Sequence, residues 1–324
     1  MISQQILNVA VGSGVTAKLV VFNFHNIANK DDLLFSNSIS EALFNQSIKW
    51  INDNFKVLSL YDGIDMCRSG KLQGPSACIT FDDGYKSHYS IATKALNALG
   101  IKGTFFATTK HLGCNLLWHD LLMLFETYAS DMQKAHFRTL LLEISSNQHL
   151  KHNTIEEQLK YLPLNKRQPL LQFLKDSIGE YIKQPLMMTE DELINLNRQG
   201  HIIGAHTLHH PILSMEEPEV SRSEIVEDVK VLSSILGQNV RAFAFPNGKP
   251  NKDYGCDQLK VLQQLEIDYA VSTAPGYFEA GTDPLQIPRF GLRGRTNFGF
   301  TKCVVSNLSS PPEFVEYRGY EAIT

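Results

Sequence analysis

The feature that most constrains the fold of this chain is a series of short apolar runs separated by segments of helical pattern. Seven runs read as strands, with residues 55–60 as a weaker eighth: 19–24, 77–81, 103–108, 201–205, 240–245, 269–273 and 285–290. They are apolar at successive positions and do not alternate, which is typical of parallel strands buried on both faces. Repeated alternation of strand and helix predicts an α/β fold.

Four segments between these runs have the pattern of crossover helices: 40–53, 87–99, 219–236 and 256–266. Residues from about 112 to 185 break the alternation, because they contain no convincing strand and read as several amphipathic helices. We therefore expect one domain over residues 1–324, with a helical insertion at about 112–185. The insertion either covers an edge of the sheet or shapes a ligand cleft.

Composition narrows the class of partner and the compartment. The 324 residues carry a net charge of -4, and a polyanion such as nucleic acid requires a basic face, so a neutral or cationic partner fits better. The five cysteines are scattered and odd in number, which indicates reduced thiols. The first basic residue is Lys18, so a charged signal-peptide start is missing, and no transmembrane segment is expected. A cytoplasmic protein is the expectation.

Two short stretches carry the residue types of a metal hydrolase site. Residues 80–85 read Thr-Phe-Asp-Asp-Gly-Tyr, and residues 206–211 read His-Thr-Leu-His-His-Pro. One aspartate with two histidines at an i, i+4 spacing gives a divalent metal three ligands and leaves an open position. Each stretch follows a predicted strand, and catalytic residues collect at the carboxyl ends of barrel strands. The second carboxylate of the pair can then act as a base.

The two stretches together resemble the paired signature of the polysaccharide deacetylases, carbohydrate esterase family four. The resemblance covers about 18–110 and 186–300 and leaves out the insertion. It implies a distorted (β/α)7-type barrel and a hydrolase that removes acetyl groups from N-acetylated sugars. The run from Phe24 to Ile27 resembles the amino-terminal motif of the exopolysaccharide poly-N-acetylglucosamine deacetylase branch.

The resemblance also implies roles for individual residues. It places Asp83, His206 and His210 on the metal and makes Asp82 the general base. Thr207 is expected to support the second motif through its hydroxyl, while His209 points elsewhere.

The expected substrate contacts include the backbone N–H of Tyr85, at the oxyanion of the reaction. Pro246 and Asn247 are further contacts, in a stretch that resembles the third family motif. Trp118 and His119 are candidate sugar contacts from the insertion.

The sequence departs from the family pattern at two places. No histidine follows His210, where the family carries its general acid, so His25 at the end of the first strand is the candidate acid; the alternative is a core histidine. Ala244 stands where the family has the arginine that orients the base. Arg289 could reach the same place from the last strand, the alternative being a surface arginine.

These observations predict a metal-dependent carbohydrate N-deacetylase that acts on an N-acetylated glycan, with no nucleic-acid partner. Zn²⁺ is the first choice of metal, and Co²⁺, Mn²⁺ or Ni²⁺ would suit similar ligands. Two alternatives remain open. The chain could hydrolyse a small non-sugar amide, or it could be a catalytically silent glycan-binding protein on the same barrel.

Overall fold

The computed structural model describes residues 2–28, 38–113, 116–145, 154–181, 185–309 and 311–317. The strands within these residues are β1 Leu19–Phe24, β2 Ile27–Ala28, β3 Ile39–Ser40, β4 Lys56–Val57, β5 Ser76–Phe81, β6 Thr104–Ala107, β7 Ile202–Ala205, β8 Ala242–Ala244 and β9 Tyr269–Val271. The α-helices are α1 Ile2–Val11, α2 Glu41–Asn54, α3 Leu60–Arg68, α4 Thr93–Ala98, α5 Trp118–Tyr128, α6 Asp131–Ser145, α7 Ile155–Lys160, α8 Leu164–Ile178, α9 Glu190–Arg198, α10 Pro218–Leu236, α11 Cys256–Gln264 and α12 Asn297–Leu308.

Seven strands form one sheet in which every pair is parallel. The order is β1-β5-β6-β7-β8-β9, and β4 pairs with the start of β5. Every residue of β1, β5 and β6 is buried. The predicted α/β class is therefore confirmed, and six of the seven predicted strands lie within two residues of their expected bounds.

The seventh predicted strand, 285–290, does not form a regular strand. It makes isolated parallel bridges to both edges of the sheet, Val271 with Ile287 and Phe22 with Phe290. Pro288 lies between them and has no N–H to donate, so the ladder cannot continue through it. The segment still closes the curled sheet between β9 and β1, as the predicted barrel requires.

The weaker candidate, 55–60, is a strand only over Lys56–Val57, because α3 begins at Leu60. The Ser59 side chain caps this helix by accepting a hydrogen bond from the Asp62 N–H at 3.1 Å.

Three of the four predicted crossover helices are α2, α10 and α11. The fourth, 87–99, starts as a π-helix over His88–Ala92 and continues as α4. Fully buried His88 lies in this π segment, and its Nε2 is 3.2 Å from the His25 carbonyl oxygen. Single π turns of this kind occur often at functional sites.

The insertion consists of α5 to α8, and its described residues contain no strand, as expected. It has its own apolar cluster, which includes Leu121, Phe125, Phe137, Leu170 and Leu174. Within the described residues, no helix combines the length and apolar character that crossing a bilayer requires.

Candidate active site

The candidate site lies where β5, β7 and β8 end, and its loops are locally strained. Asp83, Thr207, His210 and Asn247 all have positive φ angles, of 79°, 66°, 55° and 56°. Non-glycine residues adopt this region at a cost of order 1–3 kcal/mol each, and such residues cluster at functional sites. Four of the six non-glycine residues with positive φ in the described part of the chain thus fall in the motifs that the sequence singled out.

Asp83, His206 and His210 form one buried cluster. The Asp83 Oδ1 is 3.5 Å from the His206 Nε2 and 3.3 Å from the His210 Nε2, and the ligand-type atoms all lie within 4.8 Å of one another. The Asp83 Oδ1 is buried and has no hydrogen-bond partner among the described residues. An unsatisfied buried carboxylate oxygen facing two imidazole nitrogens fits a divalent cation, which would satisfy all three groups.

The surroundings of His206 orient it for such a role. Its Nδ1 donates to the Ala244 carbonyl at 2.7 Å, so the lone pair belongs to Nε2, which faces Asp83. The backbone N–H of His206 donates to Asp228 Oδ2 at 2.9 Å, and Asp228 Oδ1 accepts from the Thr109 hydroxyl at 2.6 Å. Burial raises the pKa of Asp228 to about 6. Sequence reasoning did not find Asp228, which lies in the middle of α10.

The side chains of Thr207 and His209, also in the second motif, make contacts of two different kinds. The Thr207 Oγ1 accepts from the His210 N–H at 3.1 Å, which closes the turn. His209 turns away, and its Nδ1 lies 2.7 Å from Glu224 Oε1. These placements agree with what was expected of both residues.

The insertion supports His210. The Trp118 Nε1 lies 3.4 Å from the His210 Nδ1, and the Arg167 Nη2 donates to the His210 carbonyl at 3.3 Å. A cation on the His210 Nε2 would place the ring proton on Nδ1, so the Trp118 N–H would not donate to Nδ1 in the metal-bound protein. The Arg167 guanidinium also lies over the Trp118 ring, 5.3 Å from its centroid. Arg167 is 1% exposed and was not anticipated, since nothing in the sequence of α8 distinguishes it from a surface arginine.

Asp82 is held by a buried arginine. The Arg289 Nη1 and Nη2 donate to Oδ1 and Oδ2 of Asp82, each at 2.6 Å, and the Asn23 amide donates to Oδ2 at 3.2 Å. Burial alone would raise the pKa of Asp82, but the charge of Arg289, helped by His206 and His25, keeps it below its ordinary value. Arg289 is 0% exposed, so the surface alternative is wrong.

His25 borders the same space. Its Nε2 is 3.9 Å from Asp82 Oδ2, and its side chain is 54% exposed. The alternative of a core histidine is therefore wrong, whereas a role as acid stays a prediction.

A second polar group joins Tyr85 to two residues of the insertion and lines the same cavity as Asp83, His206 and His210. The Tyr85 hydroxyl is 2.8 Å from the His119 Nε2 and 3.0 Å from Asp120 Oδ1. Burial raises the pKa of Asp120 to about 7 and lowers the pKa of His119 to about 3. Asp120 was missed, although it follows two residues that the sequence had marked.

One cavity of about 410 Å³ joins these groups. Lining residues from the barrel include His25, Asp82, Asp83, His206, His210 and Asn247, and those from the insertion include Trp118, His119 and Asp120. Of the predicted substrate contacts, Tyr85, Trp118 and Asn247 line this cavity, while Pro246 does not. The insertion thus forms a wall of the candidate site.

Comparison with known proteins agrees with the geometry. The profile of the family described as polysaccharide deacetylase matches residues 69–270, more than half of the chain. The curated Bacillus subtilis (strain 168) protein YxkH, whose name assigns it to the polysaccharide deacetylases, is 22% identical over 262 residues. This match covers 80% of the present chain and 66% of YxkH, slightly less than two thirds of that protein.

Solved structures resemble the whole described fold. IcaB from Ammonifex degensii gives a TM-score of 0.60 at 15% identity, covering 91% of this chain and 98% of that one. The Streptococcus pyogenes deacetylase PplD gives 0.59 at 16% identity, covering 89% and 98%. At these identities the likeness shows the fold alone, the (β/α)7-type barrel that was predicted. The match to the family profile shows the rest: the chain belongs to the polysaccharide deacetylase family.

Proposed function

We propose that this protein is a metal-dependent N-deacetylase of N-acetylated sugars, working in the cytoplasm. The observation that carries the proposal is the buried Asp83 Oδ1, which accepts no hydrogen bond from the described residues and lies near the Nε2 atoms of two histidines. Membership of the family supplies the reaction class.

Asp83, His206 and His210 would hold the cation, with Zn²⁺ as the first choice because two imidazoles and one carboxylate suit it. A divalent cation in such a site supplies Lewis acidity, which polarises a carbonyl and lowers the pKa of water. The Ala244 carbonyl keeps the His206 Nε2 available for this purpose.

Asp82 accepts the proton of the attacking water. The two bonds from Arg289 fix the plane of its carboxylate, and the lowered pKa of Asp82 keeps it ionised at neutral pH. A carboxylate has about four acceptor positions, so capacity for a water proton remains beside Arg289 and Asn23. The backbone N–H of Tyr85 is assigned to the oxyanion.

His25 protonates the departing amine. Its imidazole borders the cavity, and amines are poor leaving groups without a proton donor. His119 borders the cavity too, but burial lowers its pKa to about 3, so it carries no proton to give near neutral pH. The lowered pKa of His119 thus favours His25 as the acid.

Acetate release from N-acetylglucosamine oligomers tests the proposal and separates it from both alternatives. Metal-depleted protein is expected to be inactive and to recover on addition of Zn²⁺. Release from small non-sugar amides alone would assign the first alternative. Oligomer binding without release, by protein loaded with each of the four candidate metals, would assign the silent binding protein.

A variant tests the acid. His25→Ala is expected to leave metal content unchanged and to slow N-acetyl substrates by roughly 10²-fold or more, while an aryl acetate loses far less because its leaving group needs little protonation. Equal losses on the two substrates would remove His25 from this role.

A further inference from the structure

A second cavity continues from the candidate active site. It has a volume of about 960 Å³ and shares His25, Lys249 and Thr273 with the first. A ligand whose acetyl group lies beside Asp82 and Asp83 can therefore extend past His25 into this second space.

The charges that line the second cavity are mostly positive. Among the described lining residues, Lys249, Lys252 and Arg293 are exposed there, against one carboxylate, that of Glu313. Arg289 also reaches this cavity, but Asp82 neutralises it. The chain as a whole has a net charge of -4, so its average composition does not account for this concentration of cations.

These cations lack anionic partners. Among the described residues, neither Lys249 nor Arg293 forms an ion pair, and the Lys252 ammonium lies over the Tyr161 ring, 4.7 Å from its centroid. Glu313 accepts a hydrogen bond from the Asn251 amide at 3.3 Å and does not pair with them.

Lys160, which lines only the first cavity, provides a contrast. Lys160 pairs with Glu156 at 3.6 Å, so its charge is offset within the protein. The cations of the second cavity are left for a ligand, and like charges held together favour an anion because binding one relieves their repulsion.

We propose that the second cavity is an anion subsite, and that the substrate is an N-acetylated sugar carrying a phosphate or carboxylate group next to the unit that is deacetylated. This inference rests on the proposed function and names its substrate class. It departs from the expectation of a neutral or cationic partner, which came from the net charge of the whole chain. Net charge sums over the whole surface, whereas a ligand meets only the local field.

The test compares matched substrates with the metal-loaded full chain. The neutral N-acetylglucosamine trimer is set against trimers with a phosphate at either end and a trimer oxidised to a carboxylate at its reducing end. We expect an anionic trimer to have a kcat/KM about tenfold higher at low salt, and this preference to shrink as NaCl screens the cations. Comparing kcat/KM for the phosphate-bearing and carboxylate-bearing trimers identifies which anion the subsite prefers.

Substitutions of the cations test whether they cause the preference for anionic trimers. Each exposed ion pair contributes little, so Arg293→Gln is expected to lower kcat/KM for the preferred anionic trimer about threefold to fivefold, and Arg293→Gln with Lys252→Gln about tenfold. The neutral trimer should change by less than about twofold. Arg295→Gln is the matched control, because it removes an exposed positive charge two positions away that does not line the cavity.

Equal kcat/KM for neutral and anionic trimers, or equal losses on both in Arg293→Gln, would overturn the subsite. If no substrate releases acetate, the proposed function fails, and the subsite is then decided by binding. Calorimetry with metal-depleted protein should show salt-sensitive binding of the phosphorylated trimer that weakens in Arg293→Gln. Binding that depends on neither the salt concentration nor Arg293 would overturn the anion subsite, whatever the outcome for acetate release.

Discussion

Replacing Arg289 by methionine is the most informative perturbation of this molecule. The guanidinium is 0% exposed and satisfies Asp82 at both oxygens, the Ser272 carbonyl at 2.8 Å and the Thr80 hydroxyl at 3.1 Å. Methionine keeps much of the volume but leaves the Asp82 charge buried and unpaired. Removing one partner of a buried pair costs about 3–5 kcal/mol of unfolding free energy, a large part of the 5–15 kcal/mol typical of a domain.

A surface pair in the same chain is the control. Arg241 and Asp268 meet at 2.5 and 2.6 Å in a similar fork, but their side chains are 43% and 39% exposed. Solvent screens such a pair, so Arg241→Met is expected to cost no more than about 1 kcal/mol. Burial is then the variable that separates the two substitutions.

The assay is urea denaturation followed by tryptophan fluorescence, applied to Arg289→Met, Asp82→Asn and the double variant. Because the double variant leaves no uncompensated charge, its loss should fall short of the summed single losses by about 2–3 kcal/mol. Acetate release should drop by roughly 10²-fold or more in each single variant, since the base is either disoriented or absent. A loss below about 1 kcal/mol for Arg289→Met, or additive losses, would refute the buried pair.

Three further results are expected. Burial raises the pKa of Asp120 to about 7 in the folded protein, against an ordinary value of 3.8. This group should therefore make metal-depleted protein less stable as the pH rises from about 4 to 7. Asp120→Asn should be more stable than the unsubstituted protein at pH 8, by up to about 4 kcal/mol, and this advantage should vanish near pH 4. A pH-independent difference in denaturation midpoints would contradict this. Zn²⁺ should change the fluorescence of Trp118, whose indole nitrogen lies 3.4 Å from His210. Trp118→Phe should abolish the change, because the other tryptophan, Trp50, packs against Phe55 and Phe300 away from the site. A response that persists in the variant would place the metal elsewhere. Cys67 and Cys78 are buried free thiols with raised pKa values, that of Cys67 about 11, so in native protein they should react with a thiol reagent only after unfolding, and rapid labelling of either would contradict their burial.

The cysteine prediction itself is only partly covered. Cys67, Cys78, Cys256 and Cys303 are free thiols, as expected, while Cys114 lies outside the described residues.

The fold was largely predictable because the strands are buried on both faces. Burial on both faces demands consecutive apolar residues, and such runs are visible without any knowledge of their neighbours. The exception is instructive, because 285–290 is apolar enough for a strand but contains Pro288, whose missing N–H interrupts the ladder. Apolar pattern predicted where the segment lies, and backbone chemistry decided its form.

The helix predicted at 87–99 forms, but its first part is a π-helix. Its apolar spacing predicts a helix but does not distinguish i, i+4 from i, i+5 hydrogen bonds. The π turn over His88–Ala92 accompanies the packing of His88 against Phe81 and Phe105, residues of two strands. Such tertiary contacts leave no local sequence signal.

By itself the sequence determined six strands of the main sheet, the reaction class, and the grouping of Asp83 with His206 and His210. Asp82 with Asp83, and His206 with His210, are local patterns, and each follows a strand whose end position is predictable. The site could be named because its central residues fall in two short stretches of the chain, each recognisable by itself.

Only the tertiary structure decided what holds and surrounds those residues. Arg289 reaches Asp82 from 207 positions away, and Trp118 reaches His210 from 92 positions away. Neither contact has a local pattern, because closure of the sheet and the packing of the insertion bring these side chains together. The same closure sets the cations of the second cavity beside the site, where the summed charge of the chain gives no hint of them.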